Sequence, residues 1–168
     1  MATLKPVDER FFSTAPLRYS HTWTIPEPAE EVWADLVADK PLQCIPRLTL
    51  RWTSPRPLSV GATRRATCMG ILKLDENFFI WDEGRRYTFY IFKSNLPLYR
   101  SFAEDYRVEP LRADRCQFTF RAAGDPTFVG RLGGPILGRF FRDAFDAIGR
   151  HFDALPAAQH GAPQPYET

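Results

Sequence analysis

Hydrophobic and polar positions alternate from Val60 to Phe120, which predicts five consecutive strands joined by turns at Gly70, Glu83–Gly84, Asn95 to Leu98 and Pro110 to Asp114. Centring the first hairpin on Gly70 pairs Cys68 with Leu72, Ala66 with Leu74 and Arg64 with Glu76. One face then carries Arg64, Ala66, Cys68, Leu72, Leu74, Glu76, Phe78 and Ile80; the other carries Arg65, Thr67, Lys73, Asp75 and Asn77. The apolar set is expected to be covered, and a one-residue slip would exchange the faces.

The same folding carries through the later hairpins. With Glu83–Gly84 as a two-residue turn, Ile80 pairs with Tyr87, Phe78 with Phe89 and Glu76 with Ile91. The next turn sets Ile91 against Phe102, Phe89 against Glu104 and Tyr87 against Tyr106. The last sets Val108 against Cys116, Tyr106 against Phe118 and Glu104 against Phe120. The inner face is therefore aromatic, with Arg64, Glu76, Tyr87, Glu104 and Tyr106 set into it and Arg100 in the same alternation.

Around this block, Arg18 to Ile25 alternates as a strand with Tyr19, His21, Trp23 and Ile25 on its apolar side. Pro28 to about Ala38 has helix signals: a proline in the first turn, Glu30 and Glu31 near the start, and Val32, Trp33 and Leu36 at helical spacing. A second short helical turn is expected at Pro41 to Pro46, and a strand at Leu48 to Thr53. After Gly124–Asp125–Pro126 the period changes. Ile136, Leu137, Phe140, Phe141, Ala144, Phe145, Ile148, Phe152 and Leu155 recur as one face of a long helix from about Pro135 to Leu155. Residues 1–16 read as an extension whose first few residues are mobile, 17–155 as one domain, and 156–168 as a flexible tail. An apolar sheet face of this extent must be covered, and only the last helix is long and apolar enough. The fold class is α+β: a curved antiparallel sheet of about seven strands wrapped around a C-terminal helix, with two short helices after the first strand.

Composition adds that the interior is unusually aromatic: 14 of the 168 residues are Phe. A formal charge of +2 gives no reason to expect a nucleic-acid or anionic-membrane partner. No apolar run approaches the length of a membrane span. Cys44, Cys68 and Cys116 stand in no metal-ligand spacing and read as free thiols of a reducing, cytoplasmic setting. The three histidines do not cluster with cysteine or carboxylate at metal spacing, so neither metal nor cofactor is expected.

Ile25 to Leu36 (Ile-Pro-Glu-Pro-Ala-Glu-Glu-Val-Trp-Ala-Asp-Leu) resembles the opening of the START-like, or SRPBCC, superfamily. Val60–Gly61 resembles its third-strand entry, and Trp81 to Tyr87 its W-D-P-x-R-R-L turn. Glu104 to Pro110 followed by Phe118 to Phe120 is similar to its penultimate strand pair. The resemblance spans roughly residues 18–155 and is closest to the polyketide cyclase/dehydrase and lipid-transport branch. It implies a helix-grip fold with a cavity between sheet and helix, and a small hydrophobic partner molecule. It carries over no shared catalytic motif.

The expected ligand wall is Arg64, Glu76, Phe78, Tyr87, Phe89, Phe102, Tyr106, Phe120, Phe141 and Phe145. Arg64 and Glu76 are read either as a structural pair or as the donor and orienter for a ligand oxygen. Glu104 among aromatic rings should have a raised pKa, which suits an acid–base group; otherwise it lies at a wet cavity mouth or pairs with arginine. His21 is either a packed histidine or a second acid–base group. Three functions remain open: binding of a hydrophobic ligand (lipid, quinone or polyketide-like), cyclisation or dehydration of a polyketide-like substrate with Glu104 or His21 moving the proton and Arg64 or a tyrosine polarising a carbonyl, and a non-catalytic domain with a filled cavity. The chain is expected to act as a monomer or homodimer.

Overall fold

A computed structural model describes residues 1–155; the tail expected over 156–168 lies outside the described residues. The elements run β1 (Ala2–Thr3), α1 (Phe11–Thr14), β2 (Leu17–Ile25), α2 (Ala29–Leu36), β3 (Leu48–Trp52), β4 (Thr63–Cys68), β5 (Leu72–Asp82), β6 (Arg86–Ser94), β7 (Tyr99–Arg112), β8 (Arg115–Pro126), α3 (Phe128–Leu132) and α4 (Gly134–His151). The sheet is antiparallel in the order β2-β8-β7-β6-β5-β4-β3, with β1 added beside β6. It curls around α4, which buries Leu137, Phe141, Ala144, Ala147 and Ile148 against it. The second short helix expected near Pro41 is a run of turns instead.

The first hairpin has the expected register, Cys68–Leu72, Ala66–Leu74 and Arg64–Glu76. Its turn places Met69 and Gly70 at φ of 54° and 75°, a left-handed backbone that glycine adopts without a Cβ penalty. The second hairpin differs at its tip. Asp82 pairs with Arg86 around a three-residue loop, closed by Arg85 N–H donating to the Asp82 carbonyl. Trp81 therefore faces Tyr87, and a bulge between Phe78 and Ile80 restores the expected Phe78–Phe89 and Glu76–Ile91 pairs. Trp81, not Ile80, joins the inner rings: it packs on Trp33, Trp52, Phe78 and Tyr87. Glu83 at the tip accepts hydrogen bonds from both Trp33 Nε1 (2.9 Å) and Trp81 Nε1 (2.6 Å), which ties α2 to this hairpin.

The β7–β8 ladder is displaced by two residues from expectation. Val108 pairs with Phe118, Tyr106 with Phe120 and Glu104 with Ala122, because the strands continue to Arg112 and Arg115 and the turn is shorter. A two-residue displacement preserves the faces, so the inner set survives. Arg100 does not. A register shift between Tyr99 and Ser101 sends Tyr99 inward, while Arg100 is exposed and donates to Asp125 and the Pro126 carbonyl.

The expected Ile91–Phe102 pair is also absent, since the β6–β7 ladder ends at Tyr90–Ala103. Beyond that point the two strands separate and the chain's first residues enter the gap. Ala2 and Thr3 pair with Ser94 and Lys93. Leu4 N–H donates to the Phe92 carbonyl (3.0 Å) and Lys5 N–H to the Arg100 carbonyl (2.8 Å). Ser101 Oγ donates to the Lys5 carbonyl (3.2 Å). These residues, expected to be mobile, are thus bonded to both strands, and Leu4 is buried.

The outer sheet face is closed by charge. Asp105 is fully buried and accepts from Arg86, Thr88, Arg107 and Arg121 at 2.6–3.0 Å. Burial works against its negative charge, but the hydrogen bonds from Thr88, Arg86 and Arg121 outweigh this and hold its pKa below the ordinary value. Glu9 pairs with Arg86 and Arg107, and Phe12 lies under the Arg121 guanidinium, so the α1 segment caps the cluster.

Candidate functional site

Two small voids lie between the sheet and α4. The first, about 60 Å³, is bounded by Leu4, Leu72, Ile91, Tyr99 and Leu137, with Met69 and Leu98 on its margin. The second, about 50 Å³, is bounded by Leu50, Ala66, Tyr106, Phe120 and Ala144 and by the Arg64–Glu76 pair. Cys68, Leu74, Ile91, Phe102, Glu104, Phe140 and Phe141 line both, so the two adjoin. Each could hold a few waters. Both fall well short of the roughly 300–1,000 Å³ of a drug-sized ligand site, so a larger molecule enters only if lining side chains turn aside.

The hairpin register puts Arg64 and Glu76 opposite one another, with 1% and 3% of their surface exposed. Arg64 Nε donates to Glu76 Oε2. Trp52, Phe78, Tyr87 and Phe89 surround the guanidinium, their ring centres 4.9–5.9 Å from its carbon. Aromatic faces stabilise a desolvated cation. Burial disfavours the Arg64 charge, yet Glu76 and the neighbouring tyrosines hold its pKa above the ordinary value. Burial likewise pushes the Glu76 carboxyl up, and Arg64 pulls it back. Arginine does not give up its proton in proteins, so Arg64 stays a cation and its hydrogen bond favours the ionised form of Glu76. Arg64 Nη1 is buried and has no hydrogen-bond partner among the described residues. An unmet buried donor costs about 1–3 kcal/mol.

Glu104 is partly buried and lines both voids, so it lies where they adjoin. Tyr106 Oη donates to its Oε2 at 2.8 Å. Burial, with Glu76 adding like-charge repulsion, pushes the Glu104 pKa up to about 8 against the opposing pull of Tyr106 and Arg64. At neutral pH the group is therefore mostly a carboxylic acid. The Tyr106 hydroxyl, buried beside it, titrates well above its ordinary value.

The expected site residues separate into three places. Arg64, Glu76, Phe102, Glu104, Tyr106, Phe120 and Phe141 line one or both voids. Phe78, Tyr87 and Phe89 pack around the Arg64 guanidinium and line neither void. His21 and Phe145 stack on one another and line an open groove between β2 and α4, with Trp23, Asp146 and Arg150. Burial lowers the His21 pKa, partly offset by Asp146. The two acid–base candidates thus do not share a space. Leu4, Tyr99 and Phe140 were not expected as lining. Phe140 lay on the apolar helix face, Tyr99 was hidden by a bulge, and no local pattern marks Leu4.

Among the described residues, no group of three or more His, Cys, Asp or Glu side chains could hold a metal ion. No helix among them is long and apolar enough to cross a membrane. Residues 16–155 match the family model described as polyketide cyclase / dehydrase and lipid transport. The chain belongs to this family. Uncharacterized proteins from Mycobacterium tuberculosis and Mycobacterium bovis are 33% identical over 135 residues, covering 78% of this chain and 75% of theirs. A START superfamily protein from Mycobacterium smegmatis superposes with a TM-score of 0.62 at 12% identity, over 81% of this chain and 97% of that one. The Zhui aromatase/cyclase from Streptomyces sp. R1128 gives 0.61 at 15% identity, over 82% and 93%. At these identities the likeness establishes the START-like fold of this family member and no shared chemistry.

Proposed function

We propose that this protein binds a small apolar molecule carrying one oxygen acceptor, in the space between the sheet and α4. The observation that carries this reading is Arg64, a wall residue of the second void whose Nη1 is a buried donor without a partner among the described residues. Glu76 already balances the Arg64 charge, and Glu104 is mostly protonated, so the site favours a neutral oxygen such as a carbonyl or phenol over a carboxylate. The family's description and the START superfamily and aromatase/cyclase names of its structural neighbours agree with a hydrophobic ligand.

The test compares 4-pentylphenol with pentylbenzene by calorimetry. Hydrogen bonds to charged groups contribute about 1.5–3 kcal/mol, so the phenol should bind about tenfold tighter or better. Equal affinities, or no binding of either, would refute the reading.

The raised pKa of Glu104 favours a second reading, proton transfer to a bound polyketide-like substrate. Under it, Glu104→Gln slows turnover about 100-fold or more while leaving affinity nearly intact. Under binding alone the variant binds the ligand as the wild type does.

A further inference from the structure

Where β6 and β7 part, the sheet has a breach, and both strands are irregular beside it. β6 has an extra residue, Phe92, between the Asp75–Lys93 and Glu76–Ile91 pairs, and β7 shifts register between Tyr99 and Ser101. The segment Ala2–Lys5 fills this breach with backbone hydrogen bonds to both strands. Only one of its side chains is buried: Leu4, at 6% exposure, while Ala2, Thr3 and Lys5 are exposed. Leu4 is also the only one of the four to line the first void. The Arg64–Glu76 pair lines the second void and not the first.

We propose that Leu4 is a specificity-determining residue: it is the end-stop that limits how long a chain the ligand can extend from its oxygen at Arg64. This rests on the binding reading above. An oxygen held at Arg64 Nη1 directs an apolar tail past Glu104 and Phe102 into the first void, and the tail meets Leu4 there. The other walls of that void come mostly from strands and α4, which the sheet register and the helix spacing hold in place, with Met69 and Leu98 added from the turns before β5 and β7. Leu4 arrives on a short segment off the seven-strand path, so its side chain can be changed without altering the register of that sheet.

The experiment measures the affinity of 4-alkylphenols, from propyl to nonyl, for the wild type, Leu4→Ala, Leu4→Phe and Leu4→Met. Leu4→Ala opens space at the end of the void, so the best-bound phenol should lengthen by about two carbons. Leu4→Phe should shorten the optimum, and Leu4→Met, which conserves volume, should leave it in place. Opposite shifts from opposite changes in volume cannot arise from loss of stability, which would weaken every phenol alike. An optimum that is the same in all four proteins overturns the proposal and leaves the binding reading standing. A wild type that binds none of the phenols overturns both.

Discussion

Glu104 makes the stability of this protein depend on pH in an unusual direction. Its carboxyl titrates near 4.5 in an unfolded chain and near 8 in the folded one. Below pH 4.5 both forms are protonated and the group costs nothing. Between pH 4.5 and 8 the unfolded state ionises while the native state holds its proton, so each pH unit removes about 1.4 kcal/mol of stability. The loss levels off above pH 8 at up to about 5 kcal/mol, less whatever water entering the adjoining voids returns. Glu104→Gln keeps an acceptor for the Tyr106 hydroxyl and removes the titration. Urea denaturation of both proteins from pH 5 to 9.5 is the assay. The two should be within about 1 kcal/mol of each other at pH 5, and Glu104→Gln should be more stable by about 2–5 kcal/mol at pH 9. A gap that stays constant across this range would show that the carboxyl is solvated or ionised in the native state. The native state would then hold no proton on Glu104 between the voids at neutral pH.

Other consequences can be measured on the same preparation. Arg64→Met leaves the Glu76 carboxyl buried without its counter-ion and should cost about 3–5 kcal/mol, whereas Arg64→Met with Glu76→Leu should recover most of it; additive losses in urea melts would contradict a mutually compensating pair. Asp105→Asn breaks the outer-face cluster and should lower stability by a similar amount. Because its folded pKa is depressed, the wild-type contribution of Asp105 is present above the unfolded value near 3.8 and disappears as pH falls through the folded one, so the two proteins should converge in strong acid. Gly130→Ala would place a Cβ 1.9 Å from the Leu98 carbonyl oxygen and should destabilise, while Gly138→Ala, with nothing within 4 Å, should raise stability by about 1 kcal/mol. Thermal melts that move in the same direction for both would refute that contrast.

The Arg64–Glu76 pair was legible because Gly70 marks a tight turn and alternation runs uninterrupted on both sides of it. The face of α4 was legible because Leu137, Phe141, Ala144 and Ile148 keep the helical period without a break. Alternation could not reveal the bulge beside Phe79 or the shift at Tyr99, since an extra residue in a bulge looks like any other strand residue. The pairing of Ala2–Thr3 is a long-range contact made by two residues, too few to show a period. The size of the voids depends on how the rings of Phe102, Phe140 and Phe141 interlock, which a pattern of apolar positions does not contain. His21 shares the apolar side of β2 with Trp23, but β2 is an edge strand. Its inward side meets the flank of α4 there, not the space beneath it.

The hairpin tip at Glu83 behaves like a parity check. The loop holds one residue more than the shortest turn would, and the bulge beside Phe79 absorbs one residue more. Each odd offset exchanges the two sides of a strand, and a second odd offset exchanges them back. Everything between the two, Trp81 included, is turned over; everything beyond them, Glu76 included, is left as it was. Removing either offset alone would therefore turn over the inward positions beyond it, Glu76 among them, whereas removing both together would leave Glu76 facing inward.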